Sequence, residues 1–183
     1  MNIFVLDESP QTSAQMMCDK HVVKMIVESA QMLSTVHRVL DGTEWTDYSK
    51  NGRRIKRWKS PHKLFEEMLY KASFVGHPCT QWAMENNQNY YWLAEHAYEL
   101  CKEYTRRYKK VHKSEDMISL IRFRKPANIA IADSITPFAQ AMPDKYKSES
   151  AVDAYRAYYL GEKTAFAEWK YSDTPSWYEE MLV

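Results

Sequence analysis

The sequence predicts an all-α protein, a single compact helical bundle with long loops over residues 1–183. Three observations carry this. Only four glycines occur in the chain, too few for a turn-dense β architecture. Long stretches repeat their apolar residues at helical spacing. Aromatics reach 14%, enough large side chains to fill the space between packed helices. The elements follow in order. Asn2–Leu6 is short and apolar, an extended arm or the start of a helix. Ser9-Pro10 reads as an N-cap with proline at the first helical position. A long helix spans about 20–40, and Asp41-Gly42 ends it. Residues 42–61 form a polar loop around Asn51-Gly52, the strongest turn signal present. A helix over 62–74 stops at Gly76-His77-Pro78, and a further one runs over about 79–109 without internal Gly or Pro. Pro126, Pro137 and Pro143 interrupt shorter elements, and Ser148 opens a final long helix. No repeat, linker or low-complexity segment divides the chain.

Several function classes are disfavoured. No apolar run approaches the roughly 18 residues of a membrane span, and MNIFVLDESP lacks the pattern of a signal peptide. Cys18, Cys79 and Cys101 are odd in number and lack CxxC spacing, which points away from disulfides and zinc and toward a reducing cytoplasm. No nucleotide-loop motif appears, so no cofactor or metal is expected. His77-Pro78-Cys79 reads as a helix-start histidine beside a buried thiol. Glu95, Glu99 and Glu103 have metal-like spacing, but no Glu-x-x-His partner stands on a second helix, so they read as a solvated face.

The net charge of +1 conceals segregation. Residues 50–63 hold seven Lys/Arg and no acid, while residues 1–49 hold three bases against seven acids. A second basic stretch, 102–125, carries nine bases to three acids. Confined basic blocks suit a polyanion, because each phosphate contact needs a cation within reach. Solvated surface is the plain alternative. Trp58 inside the first block favours nucleic acid, since an aromatic among cations can stack on an unpaired base.

On a helical wheel, His21, Lys24, Glu28, Gln31, Thr35 and Arg38 share a stripe of roughly 100°, and Val22, Ile26, Leu33, Val36 and Leu40 oppose them. A narrow polar seam on a largely apolar helix faces solvent or lines a cleft. His, Glu and Gln at successive turns are groups from which a base or stabiliser is drawn. By itself His21 reads as structural. Glu28 is the more suggestive group, because desolvation makes a carboxylate a better base.

Several collinear stretches resemble the pyrimidine-dimer DNA glycosylase family, of the phage endonuclease V type. Asp19-Lys20-His21, with Glu28 seven residues after the histidine, is similar to its active-site helix. Asn51-Gly52-Arg53-Arg54-Ile55-Lys56-Arg57-Trp58-Lys59-Ser60-Pro61 matches its basic loop nearly residue for residue. Gly76-His77, Glu162-Lys163 and Pro175-Ser176-Trp177-Tyr178 follow in order.

The resemblance implies a compact helical bundle and a DNA glycosylase with apurinic/apyrimidinic lyase activity. It would excise ultraviolet-induced pyrimidine dimers in the cytoplasm of a bacterial or phage-infected cell. An N-terminal amine attacks deoxyribose C1′, the base departs, and the resulting imine undergoes β-elimination. An α-amino group suits this because it is less basic than a lysine amine. The resemblance places Glu28 as the catalytic glutamate, with Met1 and His21 beside it. DNA contacts fall to Gln31, Asn51, Arg53, Arg54, Lys56 and Lys59. Trp177 and Tyr178 are either core packing or contacts near the lesion. The partner is double-stranded DNA with a damaged or modified base, and neither a membrane nor a protein partner is evident.

The chain also departs from the family. Asn2 is bulkier than the family's second residue and should hinder methionine removal, so Met1 is expected to persist and supply the amine. Val27 and Gln31 stand where the family has arginines, and the arginine beside the family's N-terminus has no counterpart near Ile3. Two other readings therefore stand beside the first. One is a same-fold enzyme acting on a modified base or free nucleotide, and the other is a non-catalytic DNA-binding protein.

Overall fold

A computed structural model describes residues 1–180. Among them are eight helices: α1 (Pro10–Met16), α2 (Asp19–Asp41), α3 (Lys63–Met68), α4 (Pro78–Glu85), α5 (Asn87–Tyr108), α6 (Glu115–Ile121), α7 (Ala151–Glu162) and α8 (Ser176–Glu180). Two strands, β1 (Thr43–Tyr48) and β2 (Arg54–Lys59), pair antiparallel from Thr43 opposite Lys59 to Tyr48 opposite Arg54. The protein is thus mainly helical, with one small sheet where the sequence suggested a polar loop. Asn51-Gly52 is the hairpin's turn, with Gly52 at φ +73°. The hairpin's alternation is masked because both of its faces are largely polar and exposed.

α2 packs on α4 and α5, while α1 lies against α5. Residues 3–6 are an extended arm buried in that core. Burying side chains such as Ile3 and Leu6 is worth roughly 1.5–3 kcal/mol each, enough to hold a terminus that would otherwise fray. The Ser13 hydroxyl accepts from Leu6 N at 3.0 Å, and Arg156 donates to the Leu6 carbonyl at 2.8 Å.

Three element boundaries differ from expectation for identifiable reasons. α3 ends at Met68 because the buried Arg38 guanidinium takes up the carbonyls of Glu66, Leu69 and Tyr70, along with that of Trp58. That one side chain ties the hairpin and α3 to α2. The expected long helix over 79–109 breaks at Asn86, whose side chain caps α5 by accepting from Gln88 N and Asn89 N. The final helix starts behind Ser150, which accepts from Asp153 N, and stops at Glu162.

Much of the 102–125 charge is structural. Arg107 is fully buried, bonded to Glu103, Asp19 and the carbonyls of Gln15 and Met17, and it locks α5 to the α1–α2 joint. Glu99 and Glu103 are buried, which corrects the solvated-face reading of this stretch.

Burial also makes the fold acid-sensitive. It pushes His21 and His96 down to about 3 and His37 to about 4. An unfolded imidazole titrates near 6.5, so between about 6.5 and the folded values the unfolded chain binds protons that the folded chain excludes. Stability therefore falls as pH drops through that window, by on the order of 2 kcal/mol per histidine at pH 5. Urea midpoints measured from pH 7 to 5 should decline steeply. His96→Phe should flatten the decline, because both His96 nitrogens are buried without a partner and its ring stacks on Trp92.

Candidate active site

The seam on α2 is open only in its middle. His21 lies at one end, buried, with Nδ1 engaged by the Tyr159 hydroxyl and its ring against Phe4 and Phe166. Thr35 and Arg38 are buried at the other end. Between them Lys24 is exposed, and Glu28 and Gln31 are half-buried.

Glu28 collects donors from the chain's first residues. Its Oε2 accepts from Asn2 N at 2.9 Å and lies 3.5 Å from the Met1 α-amine. Its Oε1 is 3.4 Å from Lys24 Nζ. The arm is braced there by Asn2, whose amide nitrogen donates to the Ala141 carbonyl at 2.8 Å and whose amide oxygen accepts from Ile3 N at 2.7 Å. Thr80 on α4 meets the Met1 sulfur at 3.5 Å. The geometry thus brings together Met1, Glu28 and Lys24, and leaves His21 in the aromatic core.

His77 joins this cluster, a place the sequence did not foretell. Its Nδ1 accepts from Cys79 N at 3.2 Å to cap α4. Burial lowers its pKa, and the charge of the N-terminal amine lowers it further, while Glu28 acts in the opposite direction. Pro78 marks the cap in the sequence; what the ring faces is decided by α4 packing on α2. Thiolate chemistry is disfavoured. Burial pushes Cys79 up to about 11 and Cys101 to about 12, and it raises Cys18 as well.

The basic block forms the hairpin. Arg53, Arg54, Lys56 and Lys59 are exposed, with Asn51 at the exposed tip. Lys56 reaches Glu44 at 3.0 Å and Arg57 reaches Asp47 at 3.5 Å. Arg53, Arg54 and Lys59 make no ion pair among the described residues. Gly42 seats the hairpin against α2: a Cβ there would collide with the carbonyl oxygens of Arg38 and Lys59. The segment 69–77 leads from hairpin to carboxylate. Ser73 N donates to the Thr35 hydroxyl at 3.1 Å, whose own proton is shared between the carbonyls of Gln31 at 2.8 Å and Ser73 at 3.2 Å, and His77 follows four residues later.

The family model for pyrimidine dimer DNA glycosylase matches residues 1–116. The chain belongs to that family. The match includes Met1, Glu28, the hairpin and His77, and the family name carries DNA as the substrate of this glycosylase. No curated protein and no solved structure matches the chain. The glycosylase has no helix, among the described residues, long and apolar enough to cross a membrane. Those residues also hold no group of three or more potential metal ligands.

Two residues implied by the resemblance sit elsewhere in this glycosylase. Trp177 and Tyr178 are buried, Trp177 edge-on to Tyr159 at 6.0 Å and Tyr178 against Trp169 at 4.6 Å. Aromatic packing has won over exposure, so neither is a surface contact here. A concavity of about 630 Å³ lies by Gln15, Arg106 and Asp173, and none of the site residues lines it.

Proposed function

We propose that the chain is a DNA glycosylase with lyase activity, directed at ultraviolet-induced pyrimidine dimers. The observation that carries this is the α-amine 3.5 Å from the Glu28 carboxylate. In this reading the neutral Met1 amine attacks C1′, and the glycosidic C–N bond breaks with its electron pair leaving on the base, which is protonated. The amine then loses a proton and ring opening gives an imine. Removal of a C2′ proton expels the 3′ phosphate with the C3′–O electron pair. Glu28 stabilises the cationic sugar and passes protons. Asn2 N already donates to Glu28, so removal of Met1 would set the new α-amine against the same carboxylate. Intact mass fixes which residue is first.

Borohydride trapping tests the reading. A covalent adduct is expected with dimer-containing duplex, carried by the N-terminal peptide. Val27 and Gln31, where the family has arginines, favour as a second reading the same chemistry on another modified base. An adduct with such a duplex and none with dimers would establish it. DNA binding without any adduct would leave a non-catalytic binding protein.

The hairpin should supply affinity. Neutralising Arg53, Arg54, Lys56 and Lys59 together should flatten the log–log salt dependence of DNA binding by roughly 0.9 per lost phosphate contact. An unchanged slope would make the block ordinary solvated surface.

A further inference from the structure

Phe74 stands out among the exposed apolar side chains. It is 68% exposed, and it is a bulky non-glycine residue at φ +50°. An aromatic residue held there costs conformational free energy that the surroundings must supply. They do so on both sides. Ser73 N donates to the Thr35 hydroxyl at 3.1 Å, the Phe74 carbonyl accepts from His77 N at 2.9 Å, and Val75 O accepts from Gln81 Nε2 at 2.6 Å. The ring is therefore presented to solvent from a fixed backbone.

Its position has chemical meaning. Phe74 lines a concavity of about 500 Å³ with Lys56, Arg57 and Trp58 of β2. The hairpin residues 43–59 carry six bases against Glu44 and Asp47. Three residues beyond Phe74, on the same segment, His77 caps α4, close enough to the amine and Glu28 for both charges to act on its ring. An exposed aromatic ring thus lies beside the basic hairpin, on the segment that leads from it to His77.

We propose that Phe74 is a stacking wedge, which inserts beside the lesion and packs its ring on a base that has lost its stacking partner. This rests on the function proposed above. Cations beside the ring hold the flanking phosphates while the π-face meets the base. The strained backbone is consistent with a side chain held outward for a ligand rather than inward for the core.

The test is equilibrium binding to two duplexes, one intact and one with an uncleavable tetrahydrofuran abasic analogue next to a 2-aminopurine reporter. For Phe74→Ala the expected result is about 5- to 150-fold weaker binding to the lesion duplex, loss of the reporter signal, and unchanged binding to intact DNA. Phe74→Tyr should retain the preference. Phe74→Gly, which relieves the backbone, should lose the preference while its melting temperature holds or rises, and this separates recognition from folding. A Phe74→Ala protein that keeps its lesion preference, or loses affinity equally for both duplexes, overturns the wedge alone. Wild-type protein with no lesion preference would overturn the proposed function along with it.

Discussion

Glu28→Gln should bind DNA nearly as the wild type does and release base about 10²–10⁴-fold more slowly. The substitution suits the site. The new amide oxygen can accept from Asn2 N, which now donates to Oε2 at 2.9 Å, and the amide nitrogen then points to the exposed side, where Lys24 is free to turn away into solvent. What disappears is the charge facing the α-amine and the ability to take a proton. Single-turnover base release on dimer-containing duplex is the measurement, with binding and melting temperature in parallel. Normal turnover would remove Glu28 from the mechanism. A large drop in melting temperature would make it a structural anchor of the arm.

Blocking the α-amine should have an equal or larger effect. One residue added before Met1, or reductive methylation of the amine, should abolish strand cleavage and borohydride trapping. The Met1 side chain is only 2% exposed while the residue as a whole is half-buried, so the side chain anchors the terminus and an extension would remove the primary amine without removing that anchor. Lys24 is the competing amine, 3.4 Å from the same carboxylate but 68% exposed. Lys24→Ala should cleave within an order of magnitude of wild type, because a mobile exposed lysine gains little from a surface ion pair. Normal cleavage by the extended protein together with a dead Lys24→Ala would transfer the assignment to Lys24. Activity in both would leave water, assisted by Glu28, as the nucleophile.

The parts legible in the sequence are those whose causes are local. Ser9-Pro10, the limits of α2 and the His77-Pro78 start of α4 each carry their signal within a few residues. The polar seam led to Glu28, and the resemblance led to Met1. The rest depends on distant partners. The early end of α3 is imposed by Arg38, 28 residues upstream of Glu66. The hairpin's two polar faces hid its strand alternation. Asn86 lies between two good helical runs, and only its side-chain caps show that it divides them. His77 reaches the site through the packing of α4 on α2, which no spacing encodes. Trp177 and Tyr178 show the limit of a motif: the residues match, but here their rings complete the core.

The seat of the α-amine has an implication for the order in which it is built. The ribosome makes that amine first, yet Asn2 is braced by Ala141 and Leu6 by Arg156. Those partners emerge well over a hundred residues later. Until then the first residues have only their earlier partners, Ser13, Glu28 and Thr80, and lack the two late braces. A chain ending at residue 116 would keep Glu28, the hairpin and His77 but lack both braces. Full bracing of the terminus is thereby deferred until residues 141 and 156 exist, so a product terminated before them carries the same groups without both braces.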